Sequence, residues 1–271
     1  MQRLPTFAEN YEPSSKVQLF ISGRKLKDLD VFFKSDPLCK VFIRTGTAQN
    51  WTPLGQTETI DNNLNPDFAT SFTVEYFFEK EQHLKFEMYD EDVQSLEHIG
   101  NCEVKLGKIV GSQKQTFLGE LTLPGKSASR GKLIVRADAV KETNNEIQMK
   151  VSCSALPDRG GCLCGGNNPF LTIYRARGGV AGEWLKVHVT EVINGTQTPA
   201  WNHFKRPMGL ICNSERELPI KLEVSAFRGN GNHQLYGWCE TTVQQIIDGE
   251  KKHQLRDAHG NPAGFLSVNN F

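Results

Sequence analysis

The sequence predicts an all-β protein built as two antiparallel sandwiches in tandem, and three observations carry that expectation. Short runs rich in β-branched and aromatic residues recur along the chain, as half-buried strands require. Gly, Pro, Asn and Asp interrupt them at short intervals and long helical periodicities are scarce, which favours hairpins. Landmarks also repeat in order: Ser35-Asp36-Pro37 matches Asn167-Asn168-Pro169 at an offset of 132 (168 − 36), and Leu64-Asn65-Pro66 matches Gln197-Thr198-Pro199 at 133 (199 − 66). The glycines Gly100 and Gly237 differ by 137. Nearly constant offsets mark a duplicated unit.

In the first half, strands are expected at Lys16–Ser22, Cys39–Thr45, Phe68–Phe78, Leu84–Tyr89, Asn101–Leu106 and Gly131–Ala137. The second half offers Glu146–Ser154, Phe170–Arg175, Trp184–Ile193, Pro219–Phe227, Gly237–Thr242 and Ala263–Val268, each bounded by turn residues. Short helical patches are expected just after strands, at Leu106–Val110 and Thr242–Ile247. The polar stretch at 141–145 reads as a linker between units spanning 16–140 and 146–271, and residues 1–15 as a mobile tail.

At 271 residues the chain has room for about two domains, each able to bury a core without disulfides. Lys+Arg and Asp+Glu both number 31, so attraction to an anionic partner must come from local patches, and a dedicated nucleic-acid binder is disfavoured. The N-terminal residues lack the apolar core of a secretory signal and no apolar run is long enough to span a bilayer. These features point to a cytoplasmic protein. The seven cysteines are expected to be mostly free, and the Asn194-Gly195-Thr196 sequon to be a turn.

Two acidic clusters stand out: Asp30 to Asp36, and Asp90-Glu91-Asp92 followed by Glu97. Carboxylates crowded into loop tips repel by about 4 kcal/mol per close pair at a partly screened surface, so such a chain calls for a cation, and hard oxygen donors point to Ca²⁺. The apolar Val31-Phe32-Phe33 inside the first cluster suits insertion into a membrane interface. Solvated acidic turns are the plain alternative.

With the Asp-x₅-Asp-Pro loop, the Asn-Pro landmark and the Asp-x-Asp loop in place, each half resembles a C2 domain. The segments Phe20–Asp36, Leu54-Gly55-Gln56-Thr57-Glu58, Tyr89–Asp92 and Lys105–Val110 are similar to the first C2 domain of a copine. Asn168–Arg175, Thr190–Ile193 with Thr198–Trp201, and Leu210–Asn213 are similar to the second. The resemblance covers about residues 16 to 271 and implies two eight-stranded C2-type sandwiches with minor helical turns. Copines normally continue into a von Willebrand factor A-type domain, whereas this chain ends at Phe271.

The resemblance implies a site for one or two Ca²⁺ ions in the first domain, held by Asp30, Asp36, Asp90, Asp92 and Glu97, with Ser95 and the carbonyls of Val31 and Glu91 as further oxygens. Glu97 stands where the family usually has Asp. Phe32, Phe33, Val93 and Leu96 would then contact membrane. In the second half the matching positions hold Cys162, Asn168, Ala226, Arg228 and Gln234, none of them a carboxylate, so that site is expected to be degenerate. Asp158 lies four residues before the matching position and reads as a loop residue.

The implied function is Ca²⁺-dependent binding to anionic phospholipid, recruiting a cytoplasmic protein to the plasma membrane when Ca²⁺ rises, with protein partners on the second domain. A Ca²⁺-insensitive interaction scaffold is the alternative. An enzyme is not expected, because no Gly-x-Ser-x-Gly elbow or His-Glu-x-x-His pair is present and two sandwiches consume the chain. Cys162-Leu163-Cys164 among glycines lacks a second Cys/His pair for zinc and reads first as a turn, with an oxidisable or lipidated loop as the other reading. Arg228-Gly229-Asn230-Gly231-Asn232 lacks the following Lys-Ser/Thr of a phosphate loop and reads as a rim loop. Trp51, Trp184, Trp201 and Trp238 fall in or beside strands, where packing is expected.

Overall fold

The computed structural model describes residues 13–30, 33–92, 95–141, 145–159, 167–178, 182–249 and 251–270. Eight strands form the first sandwich: β1 (Ser14–Arg24), β2 (Pro37–Thr45), β3 (Thr52–Gln56), β4 (Asp67–Phe77), β5 (Gln82–Glu91), β6 (Leu96–Lys105), β7 (Thr116–Glu120) and β8 (Lys132–Ala139). Eight more form the second: β9 (Glu146–Ser154), β10 (Pro169–Ala176), β11 (Trp184–Val189), β12 (Phe204–Pro207), β13 (Pro219–Ala226), β14 (Gln234–Thr242), β15 (Lys252–Arg256) and β16 (Pro262–Asn270). The first sandwich pairs its strands as β4-β1-β8-β7 and β3-β2-β5-β6. The second repeats this order as β12-β9-β16-β15 and β11-β10-β13-β14, its two halves joined where Trp238 meets Arg256.

Local sequence explains the register. Along β5 every second residue turns inward, so Leu84, Phe86 and Met88 are fully buried while His83, Lys85 and Glu87 are only partly so. β1 is different, buried without interruption from Val17 to Gly23. Its outer face meets the second sandwich, where Phe20 joins the core otherwise built from Ile147, Val151, Ile173, Leu222 and their neighbours. A strand covered on both faces reads as a continuous apolar run, and β10 shows the same pattern.

Two arginines of β10 and its exit fasten this junction. Arg175 is 0% exposed, lies 2.7 Å from the Asp138 carboxylate of β8, donates to Gln18 Oε1 at 3.3 Å, and has its guanidinium carbon 5.1 Å from the Phe20 ring centroid. The Arg175–Asp138 contact is a buried ion pair. Arg177 donates to the carbonyls of Lys114 at 2.5 Å and Ala137 at 2.8 Å and pairs with Glu183 at 3.1 Å. Buried guanidinium groups persist only where carbonyls and carboxylates replace lost water.

The helices are single turns: α1 (Leu106–Val110), α2 (Met208–Cys212) and α3 (Val243–Ile247). Thr242 and Gln245 close a reciprocal capping box at the start of α3. Four strands and α2 were not anticipated from sequence. β3 and β7 are sheet edges with mostly exposed or half-buried residues, β12 has four residues ending in Pro207, and β15 buries only His253 and Leu255. β1 begins at Ser14, while tail residues 1–12 and linker residues 142–144 lie outside the described residues. Cys39, Cys102, Cys153 and Cys212 carry free thiols, and Cys162 and Cys164 lie outside the described residues. Trp201 is core at 1% exposure, and Trp51 lies half-buried beneath Arg44 and Lys85.

Candidate metal centre

At one end of the first sandwich the described residues of three connections meet: 25–30 and 33–36 between β1 and β2, 57–66 between β3 and β4, and Asp92 with Ser95 between β5 and β6. Ser35 organises the first. Its hydroxyl accepts from the Leu29 amide at 2.9 Å, its own amide donates to Asp28 Oδ1 at 3.1 Å, and its carbonyl accepts from Asn63 at 3.2 Å. This leaves Asp36 immediately before β2, where its carbonyl receives the Glu91 amide at 3.0 Å and its own amide donates to Asp90 Oδ1 at 2.6 Å. Asp90, 1% exposed, stands opposite Pro37 in the β2–β5 pairing.

Asp30, Asp36, Asp90 and Asp92 thus share one electrostatic neighbourhood. Asp30 is held above the ordinary carboxylate range, first by partial burial and then by the charges of Asp90, Asp92, Asp36 and Asp28. Asp36 is raised likewise by burial; the Asn62 amide, donating to its Oδ1 at 2.6 Å, opposes the shift, and Asp61, Asp90 and Asp92 add to it. Among the described residues no Lys or Arg forms an ion pair with any of these four aspartates.

The remaining sequence-derived residues sit around this cluster. Glu97 is exposed on β6 directly opposite Asp90, so the two side chains leave the sheet on the same face. Glu91 is exposed and its carboxylate accepts from the Thr59 hydroxyl. Ser95 is turned toward Asp92, donating to Oδ2 at 3.1 Å and accepting the Asp92 amide at 3.0 Å. Phe33, in the first loop, is 71% exposed, and Leu96, the first residue of β6, is 42% exposed. Val31, Phe32 and Val93 lie outside the described residues.

The donor set is all oxygen and largely anionic, which fits a hard dication. Convergence is partial: among the described residues no three His, Cys, Asp or Glu side chains form a group able to hold a metal ion. Asp36 and Asp90 each commit one oxygen to a backbone amide. Three participants escaped the sequence reading. Asp28, two residues before Asp30, and Asp61 contribute charge, and Asn62 grips Asp36; the Asp61-Asn62-Asn63 run was the signal for the last two, and it reads as an ordinary turn.

The second sandwich repeats the scaffold without the charge. Ala226 stands opposite Pro169 as Asp90 stands opposite Pro37, and Gln234 opposite Ala226 as Glu97 opposite Asp90. Asn168 Oδ1 accepts from Gly195 at 3.0 Å as Asp36 Oδ1 accepts from Asn62, and its carbonyl accepts from Phe227 at 2.8 Å as that of Asp36 does from Glu91. Arg228 donates to Gln234 Oε1 at 2.8 Å and to the Arg159 carbonyl at 3.0 Å, while Asp158 accepts from Asn167. Cys162 lies outside the described residues.

The family model for the C2 domain matches twice, over residues 17–128 and 147–257. The chain belongs to the C2 domain family. Several solved structures are similar to this chain. The calcium-bound pair of C2 domains, A and B, of Extended-Synaptotagmin 2 is 18% identical over 94% of this chain and 96% of that one, with a TM-score of 0.35. The first of the C2 domains, domain A, of plant Extended Synaptotagmin 1 is 23% identical over 47% of this chain and 97% of that one, at 0.37. Human GIVD cytosolic phospholipase A2 is 13% identical over 95% of this chain and 33% of that one, at 0.32. C2 domains are typically membrane-associated modules that bind Ca²⁺ and phospholipid. Among the described residues no helix is long and apolar enough to cross a membrane.

Proposed function

We propose that this chain is a Ca²⁺-dependent phospholipid-binding protein of copine type, with the first C2 domain (16–140) as the switch and the second (146–271) degenerate at the corresponding site. One observation carries the reading: Asp30, Asp36, Asp90 and Asp92 lie at one loop end, without an ion-pair partner among the described residues, and burial, followed by the charges of neighbouring carboxylates, raises the protonation range of Asp30 and Asp36. Bound there, one or two Ca²⁺ ions would supply positive charge that the carboxylates lack. Asp30 and Asp92 would hold cation from the exposed side; Asp36 and Asp90, each with one oxygen fixed to an amide, would hold it from the buried side.

Uncompensated, this acidic rim repels anionic headgroups; compensated, it stops doing so, and the exposed Phe33 and Leu96 can bury apolar surface in the interface. Phe32 and Val93 are proposed to act with them. Recruitment from the cytoplasm to the plasma membrane follows from this electrostatic switch. Calorimetric titration of the two-domain chain with Ca²⁺ tests it: saturable binding, lost in Asp36→Asn/Asp90→Asn, is expected. Equal heats in both chains would refute it.

One observation favours the second reading, a Ca²⁺-insensitive scaffold that uses these loops for protein contacts. No three carboxylates are grouped closely enough to hold an ion among the described residues. That reading predicts no Ca²⁺ heat and protein contacts unaffected by chelator.

A further inference from the structure

The degenerate loop of the second domain has a use that its missing carboxylates leave unexplained. Residues 227–233 connect Ala226 to Gln234, the pair that answers Asp90 and Glu97 in the first domain, and they face the first domain's own loop 59–63. The carbonyl of Gly229 accepts from Asn62 Nδ2 at 2.9 Å. Gly231, with φ +74°, lies so close that an added Cβ would overlap the Asn62 carbonyl and sit 3.2 Å from that of Asp61. Behind this contact the loop is internally braced. His233 Nδ1 accepts the Arg228 amide at 3.1 Å, and its ring lies 5.0 and 5.1 Å from those of Phe170 and Phe227. A cleft of about 220 Å³ remains between Thr59, Ile60 and Asp61 on one side and Phe170, Phe227 and His233 on the other.

Asn62 faces both ways. Its amide donates to Asp36 Oδ1 at 2.6 Å and its Oδ1 accepts the Lys34 amide at 3.1 Å, while its Nδ2 and carbonyl meet Gly229 and Gly231. It holds a left-handed φ of 53°, which Asn tolerates better than most side chains. We infer that loop 227–233 is an intramolecular docking surface for segment 59–63, and that Asn62 is a positioning residue through which the second domain sets the orientation of Asp36. The docking stands on the contacts alone; its consequence for a cation rests on the Ca²⁺ reading above. Coupling of this kind is reciprocal, so a cation that draws on Asp36 also tightens or loosens the seat.

The test uses the two-domain chain and two substitutions in one loop. Gly231→Ala places a methyl group against Asn62 and demands an unfavourable φ, whereas a Cβ at Gly229 meets nothing within 4 Å and leaves its carbonyl in place. Amide hydrogen exchange without Ca²⁺ is expected to quicken at Asn62 and across 59–63 in Gly231→Ala and to stay unchanged in Gly229→Ala. Ca²⁺ titration is expected to show about three- to tenfold weaker binding in Gly231→Ala alone, the effect of one disturbed neutral hydrogen bond. Asn62→Gly, which keeps the left-handed backbone and removes the side chain, should reproduce both effects from the other side. Exchange at 59–63 that is the same in both loop variants would overturn the docking; faster exchange with unchanged affinity would overturn the role of Asn62. Should the unchanged chain take up no Ca²⁺, the cation reading fails and exchange alone decides: faster in Gly231→Ala supports the docking, unchanged overturns it.

Discussion

Replacing Arg175 with alanine should do more damage than any surface charge in the molecule, because it strands a carboxylate where two domains meet. Arg175 is 0% exposed and the Asp138 side chain 11% exposed, with 2.7 Å between nitrogen and oxygen. At that separation and an effective dielectric near 20, attraction is about 6 kcal/mol. Most of it offsets the cost of dehydrating both ions, and the part exposed by deleting one partner is about 3 to 5 kcal/mol. Loss of packing against Phe20 and of the bond to Gln18 acts in the same direction. Arg175→Met with Asp138→Leu removes both charges together and should recover most of the loss. Urea unfolding followed by tryptophan fluorescence reads this directly: one transition for the unchanged chain, an early separate phase for Arg175→Ala, and near restoration in the double variant. A loss below about 1 kcal/mol in Arg175→Ala, the range of an exposed pair, would refute the reasoning.

His188, buried against Phe204 and beside Arg206, has its pKa lowered to about 4, first by burial and then by that cation. Its neutral form is the folded one, so its contribution is complete above about pH 6.5 and is lost as pH falls from there toward 4, about 3 kcal/mol in all; stability of His188→Gln measured against pH should lack that slope. Phe86→Ala, at 0% exposure in one of the two central strands of the site-bearing sheet, should cost about 3 to 5 kcal/mol in chemical denaturation. Thr242→Ala should cost about 1 kcal/mol by removing the cap of α3, measured the same way. Asp30→Asn should stabilise the cation-free chain by no more than about 1 kcal/mol given its exposure, read as a higher melting temperature, because it removes a carboxylate that partial burial and its neighbours disfavour.

How much was legible follows from what each residue does locally. β1, β2, β5, β10 and β13 announce themselves because their buried faces require Val, Ile, Leu and Phe at regular spacing. β3 does not, since an edge strand with Pro53, a bulge and mostly exposed side chains imposes little on composition. The duplication could be read from offsets because backbone geometry fixed them: Asp36 and Asn168 accept the same amide bond from partners 133 residues apart (195 − 62). Asp30, Asp36, Asp90 and Asp92 were visible as pairs at loop spacing. Asp61 and Asn62 were not, because their relevance arises only when loop 57–66 is folded against residue 36. The contact from Asn62 to Gly229 spans 167 residues, a separation at which nothing local records the partner.

The central claim is that the acidic loop end of the first domain is a cation-controlled membrane switch. Sedimentation of the two-domain chain with phosphatidylserine liposomes across a Ca²⁺ titration, alongside Asp36→Asn/Asp90→Asn, tests it most directly. Ca²⁺-dependent pelleting that chelator reverses and the variant lacks is the predicted result; pelleting that is absent, or that ignores both Ca²⁺ and the substitutions, would contradict it.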